Sequence, residues 1–232
     1  MHDFPFDVVA FDLDGTLADT APDLADALNH ALVKLGRPTV PPEEVRYLVG
    51  HGARALLRKG LAESGPSGEE LVEEGFPHFI DFYAANICTG TKCYSGAEAA
   101  LDDLKARGVR IALCTNKPEG LTHLLLDALG WTGRFDAIIG GDSLPVRKPD
   151  PAPLHEAIAR AGGGRAIFVG DSITDADTAS AAGLPFVAVS FGFSDRSASE
   201  LGADAVIDSY AELIPALETL TPRPGNRRDS PA

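Results

Sequence analysis

Carboxylate side chains stand just behind apolar runs in this sequence. Asp12 and Asp14 follow the first apolar run, and Asp171 and Asp175 follow a later one. Carboxylates that meet in one cleft repel each other strongly unless a cation lies among them. Oxygen ligands of this kind suit Mg²⁺, which prefers octahedral oxygen coordination. These residue types therefore predict a magnesium site.

Polar residues that could hold an anion come after other apolar runs. Thr115-Asn116-Lys117 follows the second run, and Lys148 stands downstream of the third. An acidic protein needs local positive charge, from such lysines and from a metal ion, to hold a phosphate group. A lone Asp after a strand is as readily a helix cap or a turn residue. The interpretation as a magnesium and phosphate site therefore depends on all these groups lying together at one edge of the folded chain.

Six short apolar runs predict the strands that would position these groups. The runs are apolar throughout and do not alternate with polar residues, which is typical of parallel strands buried on both faces. They cover residues 7–11, 110–114, 137–139, 166–169, 186–189 and 205–207.

Predicted helices separate the strands from residue 93 onward, at 95–107, 121–129, 153–161 and 175–182. The first of them begins with Ser95 and Glu98 at the spacing of a capping box. The alternation predicts an α/β fold with a doubly wound parallel sheet, Rossmann-like in architecture. Ligands bind at the carboxyl ends of the strands in such sheets, which places all the polar groups at one rim.

Residues 17–90 interrupt the alternation with helical stretches only, at 24–35, 42–49, 53–63 and 69–85. We therefore predict an α/β core formed by residues 1–16 and 91–220, with an inserted all-helical cap domain at 17–90. Hinges are expected near residues 17–21 and 90–95. Residues 221–232 are rich in Pro, Gly, Asn and Arg and are predicted to form a disordered tail.

The composition limits the possible partners. The chain has 232 residues and a net charge of −14, a field that repels nucleic acid and anionic membrane surfaces. No apolar run has the length of a membrane span or of a signal-peptide core. The three cysteines form no even disulfide set and indicate reduced thiols, which favours a cytoplasmic location. The oligomeric state stays open, a homo-oligomer included.

The polar groups also resemble known motifs. The four signature motifs of the haloacid dehalogenase-like hydrolase superfamily are similar, in order and spacing, to Asp12-Leu13-Asp14-Gly15-Thr16-Leu17, Thr115-Asn116-Lys117, Lys148-Pro149 and Gly170-Asp171-Ser172-x-x-Asp175. Three stretches of the chain resemble phosphoglycolate phosphatases within that superfamily. They are Cys114-Thr115-Asn116-Lys117-Pro118, Gly140-Gly141-Asp142 and Val169-Gly170-Asp171-Ser172. The helical insertion is similar to the cap domain of that subgroup.

This resemblance implies roles for the acids. Asp12 would attack phosphorus and form an aspartyl-phosphate. Asp14 would protonate the departing alkoxide and then take a proton from the attacking water. Mg²⁺ would bind Asp12, the backbone carbonyl of Asp14 and the side chain of Asp171, and Asp175 would orient these ligands.

Other positions would bind the substrate. Thr115 and Asn116 would donate hydrogen bonds to the phosphoryl oxygens. Lys148 would neutralise charge on Asp12 and on the phosphate. The cap segment 50–54 would face the active site, where Arg54 could clamp a substrate carboxylate. The alternative for Arg54 is an ordinary solvated charge on a helix.

Asp14 also decides between the reactions of the superfamily. A departing alkoxide needs a proton and a halide does not, so an acid at this position favours phosphate esters over dehalogenation. The expected activity is Mg²⁺-dependent hydrolysis of a small phosphorylated metabolite of carbohydrate metabolism, with 2-phosphoglycolate as the first candidate substrate. A sugar-phosphate mutase of the same superfamily and a catalytically silent binding module on the same fold are the alternatives.

Overall fold

The computed structural model describes residues 4–194 and 196–223 of the chain. Six parallel strands form one sheet, and two short strands pair antiparallel with each other. In chain order the strands are β1 Val8–Phe11, β2 Ala18–Asp19, β3 Lys92–Cys93, β4 Arg110–Cys114, β5 Ala137–Ile139, β6 Ala166–Gly170, β7 Phe186–Val189 and β8 Ala205–Ile207. The six strands predicted from apolar runs are confirmed, each to within one residue at its ends.

The sheet has the order β5-β4-β1-β6-β7-β8. The chain begins at the central strand β1, proceeds outward through β4 and β5, and then crosses back to continue through β6, β7 and β8. The order therefore reverses between β1 and β6, which pair directly with each other. A crevice opens at this switch point, outside the carboxyl ends of the strands. The predicted doubly wound sheet is confirmed.

Both faces of the sheet are buried. Val9 and Phe11 of β1 belong to one hydrophobic cluster, and Val8 and Ala10 belong to another on the opposite face. Successive side chains of a strand point to opposite faces, so a strand covered on both sides must be apolar at every position. This is the physical reason why the runs do not alternate.

The α-helices of the described residues are α1 Ala21–Lys34, α2 Pro42–Val45, α3 Ala53–Glu63, α4 Glu69–Ala85, α5 Ala97–Ala106, α6 Glu119–Ala128, α7 Ala152–Arg160, α8 Ile173–Ala181 and α9 Leu213–Thr219. Short 3₁₀ turns follow α2 at Arg46–Leu48 and stand at Ala198–Leu201 and Tyr210–Glu212. Residues of α5, α6 and α9 pack into the cluster that contains Phe11, and those of α7 and α8 into the opposite one.

The predicted capping box at Ser95 and Glu98 is wrong. The residue before α5 is Gly96, with a left-handed φ of 84°, and no side chain caps the helix. The carboxylate of Glu98 instead accepts a hydrogen bond of 2.7 Å from the indole nitrogen of Trp131. Trp131 is fully buried, and a buried indole N–H needs an acceptor.

Helices α1 to α4 pack around a hydrophobic cluster of their own, which includes Leu28, Leu57 and Phe79. The chain enters this region through β2 and leaves it through β3, and the two strands pair so that Ala18 faces Cys93. The assignment of residues 17–90 to a separate cap domain stays a prediction, as do the hinges.

Asp23, in the first turn of α1, ties the two chain crossings together. Its carboxylate accepts hydrogen bonds from the backbone N–H of Gly90 at 2.7 Å and of Thr91 at 2.8 Å. It also accepts one from the hydroxyl of Thr91 at 2.6 Å. Asp23 is almost fully buried, so these donors satisfy a charge that would otherwise be costly to bury.

The predicted tail is described only for residues 221–223, where the guanidinium of Arg223 lies 2.8 Å from a carboxylate oxygen of Asp204. Residues 224–232 lie outside the described part of the chain. Among the described residues, no helix combines the length and the apolar character needed to cross a membrane.

Replacing Asp23 by Ala should lower the free energy of unfolding by about 2–4 kcal/mol, because two buried backbone N–H groups and one hydroxyl lose their acceptor. Urea unfolding followed by circular dichroism measures the change. The matched control is Asp26→Ala on the exposed face of the same helix, which should change stability by less than ~0.5 kcal/mol. Equal effects of the two substitutions would contradict the assignment.

Candidate active site

Asp12 stands where β1 leaves the sheet. Its backbone N–H bonds to the carbonyl of Val169 on β6 at 3.0 Å, so the sheet fixes the base of the side chain. Lys148 Nζ lies 3.0 Å from Asp12 Oδ1, but outside hydrogen-bond geometry. No described residue donates a hydrogen bond to that buried oxygen. One carboxylate oxygen of Asp12 therefore lies next to the positive charge of Lys148 but accepts no hydrogen bond from the described residues.

The turn after Asp12 packs directly against Asp171. Gly15 has a φ of 83°, and a Cβ atom there would lie 2.5 Å from Asp171 Oδ2, so glycine is required at this position. Thr16 donates its hydroxyl to Asp171 Oδ1 at 2.9 Å. The turn thus holds Asp12 and Asp171 side by side from the neighbouring strands β1 and β6.

A loop after β7 supports Asp171 from a second side. The backbone N–H of Phe193 donates to Asp171 Oδ2 at 2.7 Å. A Cβ atom on Gly192 would lie 2.2 Å from Asp171 Cβ, so the loop can approach this closely only because Gly192 has no side chain. Both oxygens of Asp171 are therefore oriented by the protein.

Asp175 combines two structural tasks. Its Oδ2 accepts from the backbone N–H of Ser172 at 3.1 Å and from the hydroxyl of Ser172 at 2.6 Å. The Ser172 hydroxyl accepts in turn from the backbone N–H of Asp175, which completes a capping box at the start of α8. Its other oxygen, Oδ1, accepts from Lys148 Nζ at 2.6 Å. The cap of α8 thereby fixes the carboxylate that holds Lys148.

Lys148 is the buried cation between two of these acids. It is 3% exposed, with Asp12 on one side and Asp175 on the other. Burial alone would lower the pKa of Lys148, but the charges of Asp12 and Asp175 raise it above its usual range. Lys148 therefore stays charged at neutral pH.

The carboxylates of Asp12, Asp171 and Asp175 offer oxygen atoms that all lie within 4.8 Å of one another. Burial raises the pKa of Asp12 to about 6, against the opposing charge of Lys148. Burial and the charges of Asp175 and Asp12 raise the pKa of Asp171 well above its usual range. Burial is the first cause of both shifts, and the charges of neighbouring acids add to it. A cation bound by oxygen ligands fits this site, where the carboxylates of Asp12 and Asp171 are candidate ligands.

Thr115 and Asn116 lie beside these acids, after β4, and both are buried. The side-chain amide of Asn116 donates to the carbonyl oxygens of Lys148 at 3.1 Å and of Gly50 at 3.3 Å. Its carbonyl oxygen has no hydrogen-bond partner among the described residues. The amide hydrogens predicted to bind the phosphoryl group are therefore engaged in joining the core to the loop at Gly50.

Lys117 has a place in the site that the sequence did not assign. Its Nζ donates to Asp14 Oδ1 at 2.8 Å and to the hydroxyl of Tyr83 at 2.7 Å. The hydroxyl of Thr20 donates to the same oxygen of Asp14 at 2.7 Å. Lys117 is buried, and Asp14 and Tyr83 raise its pKa above the usual range although burial acts in the opposite direction. Asp14 is thus held through Oδ1 by two hydrogen-bond donors.

A cavity of about 30 Å³ connects these groups with the helical region. Asp12, Asp14 and Thr115 line it on the core side, and Gly50 and Gly52 line it from the loop before α3. A second cavity, of about 230 Å³, also reaches Asp14 and extends to Asp171. Residues 50–53 therefore line these cavities, while a role of the segment 50–54 in substrate selection stays a prediction.

Arg54 does not reach the cavity with the other predicted residues. Its guanidinium pairs with Glu73 on α4 and lies 3.9 Å from the centre of the Phe76 ring. The side chain is 40% exposed. Arg54 points along the helix surface because Glu73 and Phe76 attract it there, and the structure fits the solvated-charge alternative instead of a substrate clamp.

Four residues of the site were given no role in the sequence analysis. Two of them, Thr16 and Ser172, stand within the motifs, where their hydroxyls could have been considered as supports for neighbouring acids. Tyr83 and Phe193 gave no signal, because they come from a distant helix and from a loop whose approach depends on the fold. Their contacts to Lys117 and Asp171 are tertiary.

Comparison with known proteins agrees with this geometry. Residues 6–183 match the family model of the haloacid dehalogenase-like hydrolases. A phosphoglycolate phosphatase of Caulobacter vibrioides is 44% identical over 95% of this chain and 94% of its own length. One of Rhodospirillum rubrum is 40% identical over 95% of this chain and 93% of its own length.

Solved structures show the same architecture. The crystal structure of a predicted phosphoglycolate phosphatase from Haemophilus somnus 129PT has a TM-score of 0.85 and 30% identity, and covers 90% of this chain and 97% of its own. The crystal structure of CbbY from Rhodobacter sphaeroides in complex with phosphate has a TM-score of 0.77 and 25% identity, with 90% of this chain and 96% of its own covered.

Replacing Asp171 by Asn should stabilise the metal-free protein at pH 7.5, raising the melting temperature by about 3–6 °C. The raised pKa values of Asp12, about 6, and of Asp171 mean that the native state binds more protons than the unfolded state. Stability of the unmodified protein is then fully present below the unfolded-state pKa of about 4 and falls as pH rises through the folded-state values.

Thermal melts in the presence of a chelator at pH 5.0 and pH 7.5 check this, and the gap between variant and unmodified protein should be larger at pH 7.5. Asp177→Asn, on the exposed face of α8, is the control and should produce no gap. A lower melting temperature for Asp171→Asn at pH 7.5 would show that the acids do not strain the native state.

Proposed function

The chain belongs to the haloacid dehalogenase-like hydrolase family, and from this premise we propose that it is a Mg²⁺-dependent phosphatase of small phosphorylated metabolites. The observation that carries the proposal is the buried oxygen of Asp12, which lies 3.0 Å from Lys148 Nζ and accepts no hydrogen bond from the described residues. A carboxylate that is desolvated and free of donors is a reactive nucleophile.

In the proposed first step, Asp12 attacks phosphorus and becomes an aspartyl-phosphate while the bond to the ester oxygen breaks. Asp14 gives its proton to the departing alkoxide, which leaves as an alcohol. Lys148 stabilises the negative charge that develops between Asp12 and the phosphoryl oxygens. Thr115, which is buried at the cavity wall, donates its hydroxyl to the phosphoryl group.

In the second step, water attacks the aspartyl-phosphate, Asp14 takes the proton of that water, and Asp12 is regenerated with release of phosphate. Lys117 and Thr20 both donate to Asp14 Oδ1, which fixes the orientation of this carboxyl group in both steps. Mg²⁺, held by Asp12, Asp171 and the carbonyl of Asp14, would supply the positive charge that the phosphoryl oxygens need in a protein of net charge −14.

We propose 2-phosphoglycolate as the substrate, which gives glycolate and phosphate. Relatives that are 40–44% identical over nearly the whole chain are phosphoglycolate phosphatases. The smaller of the two cavities that reach Asp14 has a volume of about 30 Å³, which suits a leaving group of few atoms.

Replacing Asp12 by Asn should lower phosphate release from 2-phosphoglycolate at least ~10⁴-fold while the circular dichroism spectrum stays unchanged. The unmodified enzyme should lose activity with a chelator and regain it with Mg²⁺. Mass spectrometry of the variant excludes deamidation back to Asp, and Asp26→Asn serves as the surface control. Full activity of Asp12→Asn would refute the covalent mechanism, and transfer of the phosphate to a bound sugar instead of water would indicate a mutase.

Replacing Asp14 by Asn should have an effect that depends on the leaving group. An alkoxide needs the proton of Asp14 and p-nitrophenolate does not, so kcat/KM should fall roughly a hundredfold or more for 2-phosphoglycolate and far less for p-nitrophenyl phosphate. Steady-state phosphate release with both substrates measures the difference. Equal losses would mean that Asp14 orients the site and does not protonate the leaving group.

A further inference from the structure

The smaller cavity that reaches Asp14, of about 30 Å³, has an apolar part. The proposed chemistry gives this part no role. Its walls there are formed by Leu24, Leu56, Phe79 and Leu121. Among the described residues that line the cavity, Lys117 is the only one with a positively charged side chain, and Tyr83 adds a hydroxyl. A leaving group that enters this space meets one ammonium and one phenol in otherwise apolar surroundings.

The contact between Lys117 and Tyr83 leaves two hydrogen-bond donors available, one on each residue. Of the three hydrogens on Lys117 Nζ, one goes to Asp14 and one to the hydroxyl oxygen of Tyr83. Because Tyr83 accepts from Lys117, its own hydroxyl hydrogen has to be donated to another group. One N–H of Lys117 and the O–H of Tyr83 are thus available, and both residues line the cavity.

We propose that Lys117 and Tyr83 together bind the carboxylate of the substrate's leaving group and so select carboxylated phosphate esters. This inference rests on the proposed phosphatase function. It assigns to these two residues the clamp that Arg54 does not provide, since Arg54 pairs with Glu73 outside the cavity.

The reach of the substrate fits this assignment. In 2-phosphoglycolate a single methylene separates the ester oxygen from the carboxylate carbon. The ester oxygen must contact Asp14 to receive its proton, and Lys117 Nζ lies 2.8 Å from the carboxylate of Asp14. A carboxylate one methylene away from the ester oxygen can therefore reach hydrogen-bond distance of Lys117.

The environment also fits a carboxylate. Tyr83 is 1% exposed and Lys117 is 4% exposed, and charge-assisted hydrogen bonds are strong where water is excluded. Burial raises the pKa of Tyr83 to about 12, so the phenol keeps its hydrogen and remains a donor. A neutral hydroxyl in the same place would offer the buried ammonium an uncharged acceptor only, which makes a weaker hydrogen bond than a carboxylate does.

The two residues come from different parts of the fold. Tyr83 lies on α4 of the helical region, and Lys117 follows β4 of the sheet. A carboxylate held by both would join the helical region to the core at the moment when Asp14 transfers its proton. Selection for the carboxylate would thus act both on substrate binding and on closure of the helical region against the core.

The test compares 2-phosphoglycolate with 2-hydroxyethyl phosphate, in which a neutral hydroxymethyl group replaces the carboxylate. Tyr83→Phe keeps the ring and its packing but removes the donor. It should lower kcat/KM for 2-phosphoglycolate about ten- to a hundredfold and change that for 2-hydroxyethyl phosphate by less than about twofold. Inhibition by glycolate should weaken by a similar factor, which gives a readout independent of turnover.

Tyr94→Phe is the matched control, because its hydroxyl donates to the carbonyl of Phe191 and Tyr94 does not line either cavity. It should leave the ratio of the two substrates unchanged. An equal loss for both substrates in Tyr83→Phe would show that Tyr83 only positions Lys117 and would overturn the inference, as would no loss at all. An unmodified enzyme that hydrolyses neither ester would instead refute the proposed function, and one that prefers the neutral ester would refute the inference alone.

Discussion

Repulsion among the buried carboxylates of Asp12, Asp171 and Asp175 is the constraint on which the rest of the site depends. Their oxygens lie within 4.8 Å of one another, in surroundings where water cannot screen their charges. The fold offsets this repulsion with Lys148, which contacts two of the three acids, and with donors to Asp171 from Thr16 and Phe193. The compensation is incomplete, as the raised pKa values of Asp12 and Asp171 indicate. A cation held among these acids would offset their repulsion and would thereby stabilise the native state.

The sheet explains how four distant segments can maintain such a site. Asp12 and Asp171 leave neighbouring strands at the point where the strand order reverses, so no loop has to span the crevice to bring them together. Asp175 is fixed by the helix cap that it forms with Ser172. The catalytic geometry is therefore a consequence of backbone hydrogen bonds, and the side chains have little freedom to relax away from one another.

The sequence predicted the sheet well because strands covered on both faces must be apolar at each position, and the six apolar runs have that pattern. Helix starts were less certain, since Ser95 and Glu98 have capping-box spacing while Gly96 takes a left-handed conformation and Trp131 binds Glu98. The acids of the site were predictable because they directly follow strands. The roles of Lys117 and Tyr83 were not, since nothing in local spacing indicates which distant side chain an ammonium will contact. Arg54 shows the converse: it was singled out for its place beside the Gly50–Gly52 loop, but Glu73 and Phe76 set the direction of its side chain.

The short pairing of β2 with β3 has a consequence for how such proteins diversify. Ala18 lies opposite Cys93 and Asp19 opposite Lys92, so the chain enters and leaves the helical region at one point. A segment inserted between two adjacent anchor points can gain, lose or exchange helices without altering the order of the strands. Changes of this kind would alter the helices that line the cavity and leave the strands before Asp12 and Asp171 in place.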